Sequence, residues 1–223
     1  MLRKKIKWQA VVVLVCYAVS LVLYLGTGLM RLAADALHSG NGQTQVLHAT
    51  DFEWGSMVER GENQSNTQLF QMVSTDSDPH LIYQFKNGGY ASRLTVQATP
   101  NKAIGSMVLY YTTSPVKQGE EPAFTESKKL WAKQMQDGTW YFDLPMNKLY
   151  ALRLDPDSAG GVIWQFGSFT PLQQRPAASY FALGGTAAVA AVALPAFVAA
   201  VGVAAVHMIQ EIKGKKEEEP LEE

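Results

Sequence analysis

The sequence has a single cysteine, Cys16, which lies inside a long uncharged apolar run. A disulfide framework is therefore excluded, and any folded domain must be held together by its core alone. Cys16 is also excluded as a catalytic nucleophile, because a thiol in an apolar helix lacks both a base and water.

Catalytic and metal-binding motifs are also missing. His38, His48 and His80 stand without the His-x-x-x-His or cysteine spacing of a zinc site, and there is no G-x-S-x-G elbow and no P-loop. We therefore assign no catalytic residue, no metal ligand and no cofactor, and expect a protein that is not an enzyme. Two carboxylates from distant strands leave no local motif, so Asp143 and Asp155 keep a small glycan-acting enzyme open as an alternative.

Positive charge is scarce in the middle of the chain. Residues 31–178 contain twelve Lys and Arg against fourteen Asp and Glu, a net charge of −2, and no basic stripe. Because nucleic-acid binding depends on neutralising phosphates with basic side chains, we expect no nucleic-acid partner.

Two long apolar runs are present instead, one toward each end. No charged residue occurs from Trp8 to Met30, a run of about 34 Å as a helix, which is enough to cross a hydrocarbon core of about 30 Å. The second run, Ala177 to Gln210, is rich in Ala, Val and Gly. The resulting division is a cytoplasmic N-terminus at 1–7, transmembrane helices at 8–30 and 179–210, an extracytoplasmic domain at 31–178 and a cytoplasmic tail at 211–223.

Basic residues close to the two runs set the predicted orientation. Arg3, Lys4, Lys5 and Lys7 precede the first run, and Lys213, Lys215 and Lys216 follow the second. Because basic residues stay on the cytoplasmic side, we predict a two-pass plasma-membrane protein with both termini inside. A cleaved signal peptide ending near Ala34-Asp35-Ala36 is the rival interpretation, but the first run exceeds the usual apolar core of such peptides.

The segment between the runs has the pattern of an all-β domain. Short β-prone stretches are separated by Asn87-Gly88-Gly89, Asp137-Gly138 and Gly160-Gly161, which favour tight turns. The pattern predicts nine strands in an antiparallel sandwich: 46–54, 68–73, 81–85, 92–98, 106–112, 129–135, 140–144, 149–155 and 162–170.

Aromatic residues are the candidate binding groups of this domain. Their rings can stack on sugar rings, although core packing explains the same residues. Trp140, beside the Asp137-Gly138 turn, is the ring expected to be most exposed. With Arg153, which alternation places on the outer side of its strand, the candidates for carbohydrate or partner binding are Trp54, Tyr90, Tyr110, Trp131, Trp140 and Arg153.

Asp155-Pro156-Asp157, followed by Gly160-Gly161, is similar to a Ca²⁺-binding loop in its closely spaced carboxylates. Calcium takes six or more oxygen ligands, and two carboxylates supply too few, so a turn capped by aspartates is the favoured interpretation.

The second apolar run favours helix packing in lipid. Gly184, Ala188 and Ala191 place small residues three and four positions apart, a spacing that lets helices approach closely, and Pro195 is expected to kink the helix. The predicted partners are the first helix and another membrane protein.

The stretch from Ser106 to Phe169 resembles a β-sandwich module of bacterial surface-polysaccharide and teichoic-acid glycosyltransferases and of large lipid-linked-sugar membrane proteins. The matching residues are Val108-Leu109-Tyr110-Tyr111, Phe124-Thr125-Glu126-Ser127, Phe142-Asp143-Leu144-Pro145, Leu152-Arg153-Leu154-Asp155-Pro156 and Gly161-Val162-Ile163.

The resemblance implies a jelly-roll-like fold, similar to carbohydrate-binding modules, and a non-catalytic role. It implies an accessory subunit of cell-envelope polysaccharide or glycolipid glycosylation, which binds glycan or docks on an integral-membrane glycosyltransferase or carrier. A surface sensor or adhesin is a further alternative.

Overall fold

The structure is a computed structural model that describes residues 2–39, 45–60, 70–117, 119–145 and 147–217. It divides the chain into two compact units. One unit is helical and consists of Met1–Arg31 and Ala177–Glu223, and the other is built of strands and consists of Leu32–Pro176.

Two long helices dominate the helical unit: α1 (Leu2–Ser39), whose last turns belong to the strand unit, and α2 (Gly185–Glu217). Within them, Trp8–His38 and Gly185–Ile212 are long and apolar enough to cross a membrane, by length and composition alone. A short 3-10 turn, Ala177–Phe181, precedes α2.

The two helices contact each other in antiparallel order. The Gln9 side-chain nitrogen Nε2 lies 3.2 Å from His207 Nε2. The Tyr17 hydroxyl donates to the Val192 carbonyl oxygen over 3.0 Å, and the Tyr24 hydroxyl donates to the carbonyl of Phe181. As the chain runs forward along α1 from Gln9 to Tyr24, its partners run backward from His207 to Phe181. The two helices therefore form an antiparallel hairpin.

Small residues line the side of α2 that is least exposed. Ala188 and Ala191 are half-buried, and Pro195 and Ala199 are buried. Gly184 precedes the helix and is exposed. Three of the four residues predicted for helix packing therefore lie on one side of α2.

Twelve strands form two antiparallel sheets in the described part of the strand unit. The strands are β1 (Leu47–His48), β2 (Glu53–Gly55), β3 (Met57–Glu59), β4 (Phe70–Ser74), β5 (His80–Gly89), β6 (Arg93–Pro100), β7 (Val108–Thr112), β8 (Lys129–Trp131), β9 (Lys133–Gln134), β10 (Trp140–Asp143), β11 (Leu149–Asp155) and β12 (Ile163–Leu172).

The first sheet has seven strands in the order β3-β4-β12-β6-β10-β9, with β1 paired to β12, and the second has five in the order β2-β5-β11-β7-β8. A single core lies between them. The five-stranded sheet contributes Leu81, Leu109 and Leu152, and the seven-stranded sheet contributes Phe142 and Trp164, all almost fully buried. This arrangement confirms the predicted antiparallel β-sandwich.

Two predicted strands were wrong because each changes sheet midway. The stretch 46–54 is β1 and β2, in different sheets, joined by the 3-10 turn Ala49–Asp51. The Asp51 carboxylate accepts the His48 backbone N–H at 2.8 Å and fixes this turn. The stretch 129–135 is likewise divided into β8 and β9, with Ala132 between them. The alternation of apolar and polar residues continues through both sheet changes. The sequence pattern alone therefore predicts a single strand in each stretch.

The region Asn87-Gly88-Gly89 was predicted to be a turn between strands, but it lies inside β5. Gly88 has the positive φ of 74° that favours glycine. The pairing register with β11 shifts between Leu149 and Ala151, so the chain accommodates this conformation as an irregularity in the sheet. The predicted strand 68–73 begins outside the described residues and is observed from Phe70.

Candidate functional site

Side chains of three neighbouring strands meet on the outer face of the five-stranded sheet. Tyr110 on β7 lies directly opposite Arg153 on β11 and opposite Lys129 on β8. Trp131 is two residues further along β8 and therefore points to the same face. We call Tyr110, Glu126, Lys129, Trp131 and Arg153 the aromatic face.

The Arg153 guanidinium is held in one orientation by two carboxylates. Its Nε lies 2.7 Å from Asp155 Oδ1, and its Nη2 lies 3.1 Å from Asp155 Oδ2. The same Nη2 donates to Asp78 Oδ1 at 2.5 Å. Its central carbon lies 5.9 Å from the centre of the Tyr110 ring. Arg153 therefore cannot swing freely, and its contact with Tyr110 is pre-organised.

Tyr110 and Lys129 are fixed through Glu126. The Tyr110 hydroxyl donates to Glu126 Oε1 at 2.8 Å, and Lys129 Nζ lies 3.2 Å from Glu126 Oε2. Lys129 Nζ also lies 4.9 Å from the centre of the Trp131 ring. The Trp131 ring is 60% exposed despite this contact. A flat apolar surface therefore stands beside ordered charged groups.

A small cavity of about 240 Å³ opens on the same face. Tyr110, Phe124, Glu126 and Arg153 line it. Glu126 belongs to a 3-10 turn, Glu126–Lys128, that immediately precedes β8. The loop between β7 and β8 therefore forms one wall of the face, and the sheet forms its floor.

The charge states of this face follow from its contacts. Burial raises the pKa of the Tyr110 phenol, and its hydrogen bond to Glu126 raises it further. Hydrogen bonds from Tyr110 and Lys129 lower the pKa of the Glu126 carboxyl. Tyr110 and Glu126 together raise the pKa of the Lys129 ammonium. At neutral pH the face therefore presents a neutral phenol between a carboxylate and an ammonium group.

The Arg153 ion pairs are also shaped by burial. Burial raises the pKa of the Asp155 carboxyl, and the hydrogen bonds from Arg153 offset this effect only in part. Burial alone would lower the pKa of Arg153, but Asp155 and Asp78 raise it. The Asp155 carboxyl, beside the aromatic face, therefore takes up a proton at a higher pH than an unperturbed aspartate does.

Three of the six predicted binding residues, Tyr110, Trp131 and Arg153, meet on the aromatic face. Trp54 and Trp140 do not, because both pack against the core. The Trp54 indole donates to the Ala49 carbonyl at 2.8 Å, and the Trp140 indole donates to the Ala98 carbonyl at 3.1 Å. Trp131, rather than Trp140, is the exposed ring.

Tyr90, the sixth predicted residue, lies elsewhere in the strand unit. Its ring stacks on His38 with centres 4.3 Å apart, and its hydroxyl donates to the Asp35 carboxylate. It lines a larger cleft of about 630 Å³ together with residues of β5 and with Lys148.

Sequence reasoning missed three members of the arrangement: Glu126, Lys129 and Asp78. Glu126 precedes Lys129 by three residues, a spacing that can signal an ion pair on a helical turn. No local signal identifies Asp78, which reaches Arg153 only because β5 pairs with β11.

The two carboxylates of the enzyme alternative do not converge. Asp143 belongs to the seven-stranded sheet and Asp155 to the five-stranded sheet. Each follows a core residue by one position, Phe142 or Leu154, so each lies on the outer face of its own sheet. Two acids on opposite sides of a sandwich cannot act on one glycosidic bond, which needs carboxyl groups about 5–10 Å apart.

The calcium-like loop is occupied by protein contacts. Asp155 pairs with Arg153, and Asp157 Oδ1 accepts the backbone N–H groups of Ser158 at 2.7 Å and Gly105 at 3.4 Å. In the described ranges, no group of three or more His, Cys, Asp or Glu residues is placed to hold a metal ion.

No protein-family model matches this sequence, and no curated protein matches it. Three solved structures show some similarity to its fold. A low-affinity xylan-binding module, CBM86, from Roseburia intestinalis is 11% identical, with 58% of this chain and 94% of that chain covered and a TM-score of 0.38. A β-1,3-glucan-binding CBM6 from Bacillus halodurans is 11% identical, with 56% and 93% covered and a TM-score of 0.41.

The third is a cycloisomaltooligosaccharide glucanotransferase from Paenibacillus sp. It is 12% identical, with 60% of this chain and 19% of that chain covered and a TM-score of 0.35. Because all three TM-scores are below 0.5, the β-sandwich is assigned from this chain's own two sheets.

Proposed function

We propose that this protein is a membrane-anchored glycan-binding protein and that its aromatic face is the binding surface. One observation supports this most strongly. Trp131 presents an exposed ring beside Lys129, whose ammonium group is held by Glu126.

This combination suits sugars for two physical reasons. The C–H faces of a sugar ring are apolar and pack on aromatic rings, while its hydroxyl groups need donors and acceptors around the ring's edge. Trp131 and Tyr110 offer the rings, Arg153 and Lys129 offer donors, and Glu126 offers an acceptor. Because these side chains are already ordered, little conformational entropy is lost on binding.

The surface is shallow and lies along a sheet. A shallow face buries only part of a small molecule, so a polymer that extends across several strands is a better fit than a monosaccharide. We accordingly propose that the ligand is a surface polysaccharide or glycolipid glycan.

The membrane part of the proposal rests on the two helices. α1 and α2 contain runs that are long and apolar enough to cross a membrane. The basic residues near both runs favour cytoplasmic termini, which would place the strand unit on the extracytoplasmic side of the plasma membrane.

The hairpin leaves most of both helices free for other contacts. Large apolar side chains remain exposed along it, among them Val11, Leu14, Leu21, Val22, Val189, Val192, Leu194 and Phe197. Such surfaces fit lipid or further membrane helices. We propose an integral-membrane glycosyltransferase or carrier of cell-envelope polysaccharide assembly as the partner, and a non-catalytic accessory role for this chain.

The test is a glycan array probed with the full-length protein in nanodiscs, followed by calorimetric titration of the strongest ligand. Trp131→Ala should weaken binding by roughly five-fold or more, because an aromatic contact contributes about 1 kcal/mol beyond the area that it buries. Tyr141→Ala is the matched control, since Tyr141 is an aromatic residue of β10, in the other sheet. No binding on the array, or equal affinities for the two variants, would contradict the proposal.

A further inference from the structure

A second cleft in the strand unit is larger than the cavity of the aromatic face. Its volume of about 630 Å³ falls within the range of small-molecule sites, about 300–1,000 Å³. Its lining includes His38, Tyr83, Phe85, Tyr90, Lys148 and Gln173.

Aromatic rings form the apolar walls of this cleft. Tyr83 and Phe85 meet edge to face with ring centres 4.9 Å apart, and Tyr90 is stacked on His38. All four side chains are therefore held by a neighbouring ring, and their remaining surfaces are available to a flat, partly apolar ligand.

Glycine at position 88 allows Lys148 to approach the cleft. A Cβ atom at Gly88 would lie 2.5 Å from Lys148 Cε, so the lysine stem could not keep its present position over a larger residue. Its φ of +74° also favours glycine. The Lys148 stem therefore runs directly over the backbone of β5.

The Lys148 ammonium is not neutralised by the protein. It lies 5.5 Å from the centre of the Tyr150 ring, and among the described residues no carboxylate comes within 4 Å of it. The described part of the lining contains no Asp or Glu. Asp35, close by, accepts the Tyr90 hydroxyl. The cleft therefore attracts a negatively charged group.

A buried acceptor in the wall lacks a donor. Gln173 Oε1 is inaccessible to solvent, yet among the residues that the structure describes it has no hydrogen-bond partner. An unsatisfied buried acceptor costs about 1–3 kcal/mol. Gln45, which also lines the cleft, adds an exposed amide.

We infer that this cleft binds an acidic sugar residue, with Lys148 pairing with its carboxylate and the aromatic walls packing on its ring. This inference takes only one point from the proposed function, namely that the ligand is a sugar. It adds a second site, and it assigns the negative charge of the ligand to that site.

The experiment uses the full-length protein in phosphatidylcholine nanodiscs, titrated with a galacturonic acid trimer and with its carboxyl-reduced, neutral counterpart. The acidic trimer should bind roughly ten-fold more tightly, the size expected for one charge-assisted hydrogen bond. Lys148→Gln should abolish this preference. Lys102→Gln, which removes an exposed lysine in the β6–β7 loop, should leave it unchanged.

Trp131→Ala separates this site from the aromatic face and should leave the preference for the acidic trimer intact. If Trp131→Ala abolishes the preference, or if wild-type protein binds both trimers equally, the second site is refuted while glycan binding at the aromatic face can still stand. If phosphatidylglycerol nanodiscs displace the acidic trimer from wild-type protein, the cleft takes a lipid headgroup and the sugar assignment is wrong.

Discussion

The Arg93 guanidinium lies 2.7 Å from the Asp143 carboxylate, across the pairing of β6 with β10, and only 5% of the Arg93 side chain is exposed. Lys133 Nζ lies 3.1 Å from the other carboxylate oxygen. Arg175, which donates to the Ser92 carbonyl at 2.9 Å, approaches Asp143 at 3.8 Å. The Asp143 carboxylate therefore lies close to three basic side chains on the outer face of the seven-stranded sheet.

Removing that carboxylate should destabilise the sandwich. Asp143→Asn leaves the Arg93 guanidinium buried without its counter-charge, which we expect to lower the free energy of unfolding by about 3 kcal/mol. Glu59→Gln, on the exposed edge strand β3, is the matched control and should have little effect. Chemical denaturation measures both. A small effect of Asp143→Asn would contradict this account and show that solvent hydrates the Arg93 guanidinium well enough to replace the ion pair.

The same pair predicts how stability changes with acid. Burial favours the neutral Asp143 carboxyl, but Arg93, Lys133 and Arg175 outweigh this and lower its pKa below 3.8. The unfolded chain therefore takes up the proton first, so the stabilisation is complete above pH 3.8 and is lost as the pH falls toward the lower folded-state pKa. Melting temperature should fall less steeply below about pH 4 in Asp143→Asn than in wild-type protein. Parallel curves would contradict this account.

Arg153 should not be replaceable by lysine on the aromatic face. A lysine cannot make the paired bonds to Asp155 and the bond to Asp78 at the same time. Arg153→Lys should therefore weaken glycan binding by roughly ten-fold and should raise the pKa of Asp155 further, as followed by carboxyl NMR. Unchanged binding together with a shifted pKa would mean that Arg153 organises Asp155 but does not contact the ligand.

Gly28 of α1 packs closely against the 3-10 turn Ala177–Phe181 that precedes α2. A Cβ atom there would lie 2.5 Å from Phe181 Cε1 and 3.1 Å from the Tyr180 carbonyl oxygen, whereas a Cβ atom at Gly26 would meet nothing within 4 Å. Gly28→Ala should destabilise the hairpin by about 1–3 kcal/mol through overpacking. Gly26→Ala should be neutral or stabilising. Thermal unfolding in detergent compares the two, and identical results would refute the close packing.

The orientation in the membrane can be tested with one cysteine at a time. In a Cys16→Ala background, Ser158→Cys in the strand unit should react with a membrane-impermeant maleimide on intact cells. Glu222→Cys in the C-terminal tail should react only after the cells are opened. The reverse labelling would invert the proposed topology.

The sequence predicted strands correctly where a stretch of alternating residues stays within one sheet. The predicted strand 149–155 matches β11 at both ends, because Leu152 and Leu154 are buried while Arg153 and Asp155 between and after them face outward. The sequence was insufficient at Ala49–Asp51 and at Ala132, where the chain crosses between sheets. Such crossings depend on which strands pair, and pairing is set by contacts between residues distant in sequence.

The same reason limits prediction of the site. Tyr110 and Arg153 were each identifiable, but their contact follows from the pairing of β7 with β11, some forty residues apart. The exposure of Trp131 follows from its place on the edge strand β8, while Trp140 on β10 is flanked by β6 and β9. The residues next to Trp131 and Trp140 in the sequence do not show which of the two lies on an edge strand and which lies between two strands.

The central claim is that glycan binds at the Trp131 ring. The direct measurement is ¹⁹F NMR of full-length protein labelled with 5-fluorotryptophan, whose five signals are assigned by single Trp→Phe variants. Titration with the strongest array glycan should shift the Trp131 signal and leave that of the fully buried Trp164 in place. An unmoved Trp131 signal at a saturating glycan concentration would contradict the account.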